Sequence, residues 1–197
     1  MMPRNAAVLH AKSFFASPVS YVMSRWQYAQ RLGLYRWSNA ESLDDQWDER
    51  TALMAGMVAP NSTILEFGAG KEHLRKFLPQ GCIYQPSDIV VRSPETLICD
   101  LNKSFPALEQ KVDYIVFSGV LEYVYDVQRV MHLVRPNCNA CLVSYASTDA
   151  LECMTTRMRS GWVNHLSRAT FEEILSQANF TIHEKRVWRG QDIYSLR

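Results

Sequence analysis

Thr63-Ile64-Leu65-Glu66-Phe67-Gly68-Ala69-Gly70 decides the fold. An apolar, strand-forming run ends in a Gly-x-Gly turn. That sequence predicts a buried strand followed by a bend where the backbone can approach a ligand closely. Working outward, the same alternation continues downstream. Lys71–Leu78 reads as a short helix ending at Pro79-Gln80-Gly81, and Cys82–Gln85 as a second strand closing at Asp88. Thr96–Cys99 is a third strand closing at Asp100, and Val112–Phe117 a fourth closing at Ser118-Gly119. Asp126–Val134 predicts a helix stopped by Arg135-Pro136-Asn137, Cys141–Tyr145 a fifth strand, and Ser167–Ala178 a helix capped by Ser167 or Thr170. Thr181–Trp188 and Gln191–Leu196 flank Arg189-Gly190, the pattern of a strand pair around a tight turn. Upstream, helices are expected within about 18–36 and 42–58, the second capped by Ser42.

Continuous apolar strands separated by helices specify a mostly parallel α/β sheet, doubly wound and covered on both faces. One connection departs from that plan. Only Ile89–Glu95, with Pro94 inside it, joins the second strand to the third, too short for an ordinary helical crossover. In such sheets ligands bind beyond the carboxyl ends of the strands. The residues to inspect are therefore Glu66–Gly70, Asp88, Asp100 and Ser118–Glu122.

Three details of the first turn discriminate between ligands. A dinucleotide fingerprint needs a third glycine at position 73, where this chain has His73. No Gly-Lys-Ser/Thr follows, so a triphosphate cradle is absent. Glu66 stands two residues before the first glycine, where a carboxylate repels a pyrophosphate and attracts an ammonium or sulfonium. Asp88, 20 positions after Gly68, suits an acid accepting from ribose hydroxyls. Asp100 can accept from an adenine amino group. Three acids at successive strand ends suit a cationic nucleoside without phosphate.

On these residues the chain resembles the class I S-adenosylmethionine-dependent methyltransferases over roughly residues 60–197. The motifs are Leu65–Gly70, Asp88, Cys99-Asp100-Leu101-Asn102 and Phe117-Ser118-Gly119-Val120-Leu121-Glu122-Tyr123-Val124. The resemblance implies a seven-stranded, Rossmann-like sheet with the last strand antiparallel, and S-adenosylmethionine as cofactor. It implies that Glu66 and the turn Gly68, Ala69 and Gly70 hold the methionine end, Asp88 the ribose, and Asp100 and Leu101 the adenine, with Phe67 also among the cofactor-binding residues. Ser118 and Gly119 would offer backbone near the sulfonium. Glu72 stands where many members carry a third glycine, a departure from the pattern.

Methyl transfer is an in-line displacement that positioning and exclusion of water can accelerate, and a base is needed only where the acceptor must lose a proton. Candidates are His165, in Gly161–Ser167 before the last helix, and Glu122 and Tyr123 after the fourth strand. Each also has a plain structural reading: His165 shapes a turn, and Glu122 starts a helix. Trp26, Tyr28, Tyr35, Trp37 and Trp47 make the N-terminal part aromatic, as a lid over the acceptor or as core packing.

The 197 residues suffice for one domain, and the expected division is an N-terminal helical extension over 1–58 and the cofactor domain over 59–197. A net charge of +1 gives no reason to expect nucleic acid as partner. The charge is uneven, since residues 1–37 hold five basic residues and no acid. That head fits a peripheral membrane contact, an anionic substrate or an organelle transit peptide, and equally a solvated helix packed on the domain. The five scattered cysteines read as reduced thiols of a cytoplasmic protein. Cys138-Asn139-Ala140-Cys141 reads as a turn entering a strand, and no second ligand pair suggests a metal. The expected function is methylation of a small-molecule or sugar-containing acceptor. The alternatives are a protein or RNA methyltransferase docked through the basic head, and a non-catalytic subunit that keeps the fold. A nicotinamide-dependent oxidoreductase is a weaker rival, opposed by His73 and Glu66.

Overall fold

A computed structural model of the chain describes Trp37 and residues 45–197. The expected helix within 18–36, the Ser42 cap and most of the basic head lie outside these residues. Seven strands form one sheet: β1 Thr63–Phe67, β2 Ile83–Asp88, β3 Leu97–Ile98, β4 Val112–Ser118, β5 Cys138–Tyr145, β6 Ile182–Trp188 and β7 Gln191–Leu196. Their order is β3-β2-β1-β4-β5-β7-β6. All neighbouring pairs are parallel except those made by β7, which runs antiparallel to both β5 and β6. The chain order reverses between β1 and β4, and a crevice at their carboxyl ends follows from that reversal.

Among the described residues five α-helices accompany the sheet: α1 Asp48–Ala55, α2 Leu74–Phe77, α3 Val127–Val134, α4 Met154–Arg159 and α5 Arg168–Gln177. Val127, Val130, Met131 and Val134 of α3 share one core cluster with Phe171 and Leu175 of α5 and with Leu65, Phe117 and Val143 of the sheet. Met54 and Ala55 of α1 and Leu74 of α2 cover the other face, over Ile64, Val116, Leu142 and Ile193. Residues 48–58, expected in the N-terminal extension, therefore build part of the sheet's second core. Of the caps expected, Ser167 is the one that acts at α5, and Asp126, expected as the first residue of its helix, caps α3 instead. Asp126 Oδ1 accepts from Arg129 N at 2.9 Å, and Ser167 Oγ from Thr170 N at 3.1 Å.

The structure corrects several boundaries. The helix expected over 71–78 shrinks to Leu74–Phe77, because Glu72 takes a left-handed φ of 56° and holds the preceding residues in turns. β5 begins at Cys138 rather than Cys141, so the C-x-x-C lies within the strand, and both thiols are buried. α4 was not expected at all. Its sequence, MTTRMR, has two β-branched residues and no side-chain cap. No helix joins β2 to β3, as the short link with Pro94 required. All five cysteines are free thiols. Among the described residues no helix is long and apolar enough to cross a membrane.

Candidate active site

The strand ends named by the sequence converge on one cavity of about 550 Å³ at the β1/β4 switch point. Glu66–Gly70, Asp88, Asp100, Leu101, Ser118, Gly119, Glu122 and Tyr123 all line it. His165 does not. It lies half-buried behind α4, where its Nδ1 accepts from Arg157 Nε at 3.1 Å. Burial, and then the Arg157 charge, push its pKa down to about 4, so the ring is neutral.

β1 delivers Glu66 because it is buried between β2 and β4, so the side chain at its carboxyl end emerges at the cavity floor. Glu66 is 3% exposed, and Tyr84 Oη donates to its Oε2 at 2.5 Å. Burial pushes the Glu66 carboxyl up to about 8, against the opposing effects of the Tyr84 bond and the nearby Arg50. The glycine turn is fixed from β2. Ala69 N donates to Ser87 O at 3.0 Å, and Gly70 N to Asp88 Oδ2 at 2.9 Å. Asp88 also pairs with Arg92 Nε at 3.4 Å, and Arg92 Nη2 reaches the backbone oxygen of Trp37. Asp100 Oδ1 accepts from Asn102 N at 3.1 Å, and its Oδ2 lies 3.2 Å from Lys103 Nζ.

Two glycines are required by close approach. Gly68 has φ +66°, and a Cβ there would sit 2.5 Å from Val120 Cγ2. Gly119 has φ +69°, and a Cβ would sit 2.7 Å from Arg50 Nη1. Where the third glycine of many members is replaced, Glu72 adopts a glycine-like φ, held by Arg75 Nη2 at 3.1 Å from its Oε2.

Arg50 is the principal residue that sequence reasoning missed. It comes from α1, is 5% exposed, and spans the ends of β4 and β7. Nε donates to Ser118 Oγ at 3.1 Å, Nη2 to Ser118 O at 3.1 Å, and Nη1 to Gln191 Oε1 at 2.8 Å. Its guanidinium faces the rings of Trp47 and Trp188 at 5.7 Å each. One signal was available: Arg50 is four residues before the buried Met54 and so shares its apolar helix face. Arg50→Met is expected to destabilise the fold by about 2–4 kcal/mol, since it strips charged hydrogen bonds from buried partners. Urea unfolding measures this, and a loss below about 0.5 kcal/mol would contradict it.

α1 is also tied to the glycine-turn region and to the β6–β7 hairpin. Asp48 contacts His73 Nδ1, and Glu49 Oε2 accepts from Trp188 Nε1 at 3.0 Å and from Arg189 Nη2 at 3.1 Å. The far wall of the cavity is aromatic. Trp37 meets Tyr123 edge-on at 5.2 Å between centroids, and Trp162 Nε1 donates to Tyr123 Oη at 3.1 Å. Among the described residues no group of three or more His, Cys, Asp or Glu is placed to hold a metal ion.

A seven-stranded sheet with β7 reversed, carrying acids around a glycine turn at the switch point, defines a Rossmann-like domain built for a nucleoside with positive charge. The sequence matches the methyltransferase-domain family over residues 25–185, and the chain belongs to it as a class I S-adenosylmethionine-dependent methyltransferase. No curated protein sequence matches the chain. Solved structures with the same fold include the 1,6-didemethyltoxoflavin-N1-methyltransferase of Burkholderia thailandensis, with 16% identity, TM-score 0.64, and 93% of this chain and 91% of that one covered. An S-adenosylmethionine-dependent methyltransferase of Mesorhizobium loti is similar at 14% identity and TM-score 0.61, over 74% and 95%. Human N-acetylserotonin methyltransferase is similar at 17% identity and TM-score 0.61, over 82% of this chain and 55% of that one.

The residues present fit S-adenosylmethionine. Glu66, Asp88 and Asp100 bring carboxylates, and Gly68, Ala69, Gly70, Ser118 and Gly119 bring backbone, to one cavity.

Proposed function

We propose that this enzyme methylates a small-molecule acceptor held against the aromatic wall of the cavity, with the cofactor on the acidic rim. The observation that carries this reading is the continuity of the cavity. The strand-end acids and the Trp37, Trp47, Tyr123 and Trp162 side chains line the same space. On this reading Glu66 faces the cofactor's ammonium, with Phe67–Gly70 beneath its methionine part. Asp88 accepts from the ribose, Asp100 and Leu101 face the adenine, and Ser118 and Gly119 lie beside the sulfur. When bound, S-adenosylmethionine supplies a methyl group on a sulfonium. The chain contributes orientation and dryness. The glycine turn and Arg50-braced strand ends fix the donor side, and the aromatic wall excludes water and holds a flat acceptor. Tyr123 positions that wall, because its hydroxyl joins Trp162 Nε1 to Ser160 O, the latter at 3.2 Å. The toxoflavin-type enzyme, similar in fold across nearly the whole chain, acts on a small molecule. Free thiols throughout are in keeping with a cytoplasmic setting.

The test follows the label from methyl-tritiated S-adenosylmethionine in a cell extract split by ultrafiltration. The reading expects label in the low-molecular-weight fraction, dependent on the enzyme. Label confined to protein or RNA contradicts it and favours a macromolecular acceptor.

A further inference from the structure

Glu122 lies in the 3-10 turn Leu121–Tyr123 that follows β4, and it is 1% exposed. Its carboxyl is half satisfied. Oε1 accepts from Ala146 N at 2.8 Å, whereas Oε2 is buried with no hydrogen-bond partner. A buried acceptor in that condition is costly and calls for a donor that the described protein groups do not supply. Its surroundings explain why the protein does not. The charged and titratable groups facing Glu122 are Arg50 from α1, Arg157 from α4 and Tyr145 from β5. Arg157, fully buried, gives its hydrogens to Ala146 O, Leu151 O, Asn164 O and His165 Nδ1. Arg50 gives its own to Ser118 and Gln191. Tyr145 Oη donates to Asn164 Oδ1 at 2.5 Å. Two cations thus balance the carboxyl without capping its free oxygen.

The backbone of Glu122 holds the acceptor wall in place. Its carbonyl accepts from Val163 N at 2.8 Å and Asn164 N at 3.4 Å, which fastens the Trp162 segment to the turn after β4. Trp37, Tyr123 and Trp162 line the cavity together with Glu122, and the Tyr123 hydroxyl is already engaged with Trp162 and Ser160.

We propose that Glu122 Oε2 takes a proton from the methyl acceptor, which is accordingly a small aromatic molecule methylated at an N–H or O–H. This rests on the small-molecule reading of the cavity. In the step, the bond from the acceptor heteroatom to the methyl carbon forms. The carbon–sulfur bond breaks with its electron pair left on sulfur, and the heteroatom's proton passes to Glu122. Water then receives that proton. Atoms and charge balance without another reactant. Burial pushes the Glu122 carboxyl above its ordinary range, against its own backbone N–H, the Ala146 N–H and the two guanidinium charges.

The test uses the full chain saturated with S-adenosylhomocysteine and three probes of one shape: 2-naphthol, 2-methoxynaphthalene and 2-methylnaphthalene. Calorimetry and tryptophan quenching report binding. 2-Naphthol is expected to bind at least about tenfold more tightly than the other two. Its affinity falls as pH drops through the raised Glu122 titration, because the protonated carboxyl is the poorer acceptor. Glu122→Gln keeps an oxygen but cannot titrate, so the pH dependence flattens. Glu122→Met abolishes the preference for 2-naphthol. S-adenosylhomocysteine affinity of each variant reports that it is folded. Equal binding of the three probes, binding of none, or an unchanged pH dependence in Glu122→Gln overturns the proposal. Failure of the unmodified chain to bind S-adenosylhomocysteine overturns the cofactor-site reading instead.

Discussion

Gly68→Val is expected to lower the affinity for S-adenosylhomocysteine by at least about 100-fold, equivalent to about 2.7 kcal/mol. Two effects combine. The residue keeps φ at +66°, which a β-branched side chain adopts only under strain, and its Cβ meets Val120 Cγ2 at 2.5 Å. The turn must move, and with it the backbone that lines the cavity floor between Glu66 and Gly70. Titration calorimetry on protein checked for folding measures the loss. Gly68→Ala combined with Val120→Ala removes the clash and keeps the φ strain, so it is expected to fall between the two. A folded Gly68→Val chain with undiminished affinity would remove the glycine turn from the site.

Cofactor affinity is also expected to rise with pH, by up to about tenfold per unit, as pH approaches 8 from below. The sign follows from Glu66. An unfolded glutamate titrates near about 4.3, and burial raises this one to about 8 in the ligand-free fold. The folded chain therefore holds the proton more tightly than the unfolded chain. This contribution to stability is complete below the unfolded pKa and is lost as pH rises through about 8. A cofactor ammonium beside the carboxyl reverses the preference, so binding below pH 8 releases a proton. Calorimetry in buffers of different ionisation enthalpy counts that proton. Glu66→Gln, which cannot titrate, is expected to flatten the pH profile and lower affinity at pH 8. An unchanged profile in that variant would place the ammonium elsewhere.

The parts of the site that were legible in the sequence sit where a buried strand stops. Glu66, Asp88 and Asp100 stood out because a polar residue at the end of an apolar run, followed by a turn, has few places to go in a parallel sheet. The missing crossover helix was legible for a related reason: seven residues containing Pro94 cannot hold one. Arg157 and Tyr84 were not legible, and Arg50 only through its spacing from Met54. Helix spacing can set an arginine on an apolar face, but its partners come from the tertiary fold, and those of Arg50 are 68 and 141 positions away. Tyr84 read simply as a strand residue, although its hydroxyl bonds Glu66 across the β1–β2 pair. His165 drew attention by its intrinsic pKa, but burial behind α4 and the adjacent Arg157 take it out of the titration range that a base near neutrality needs. β5 began earlier than its apolar pattern suggested because Cys138 pairs with Val112 at the start of β4.

The central expectation is that a ring of carboxylates receives a positively charged adenosine compound. Parallel calorimetric titrations of the full chain with S-adenosylmethionine, S-adenosylhomocysteine and NAD test it most directly. The prediction is one site for each of the first two ligands, with affinity for both lost in Glu66→Ala, and no heat from NAD. Binding of NAD with no binding of either adenosyl compound would contradict it.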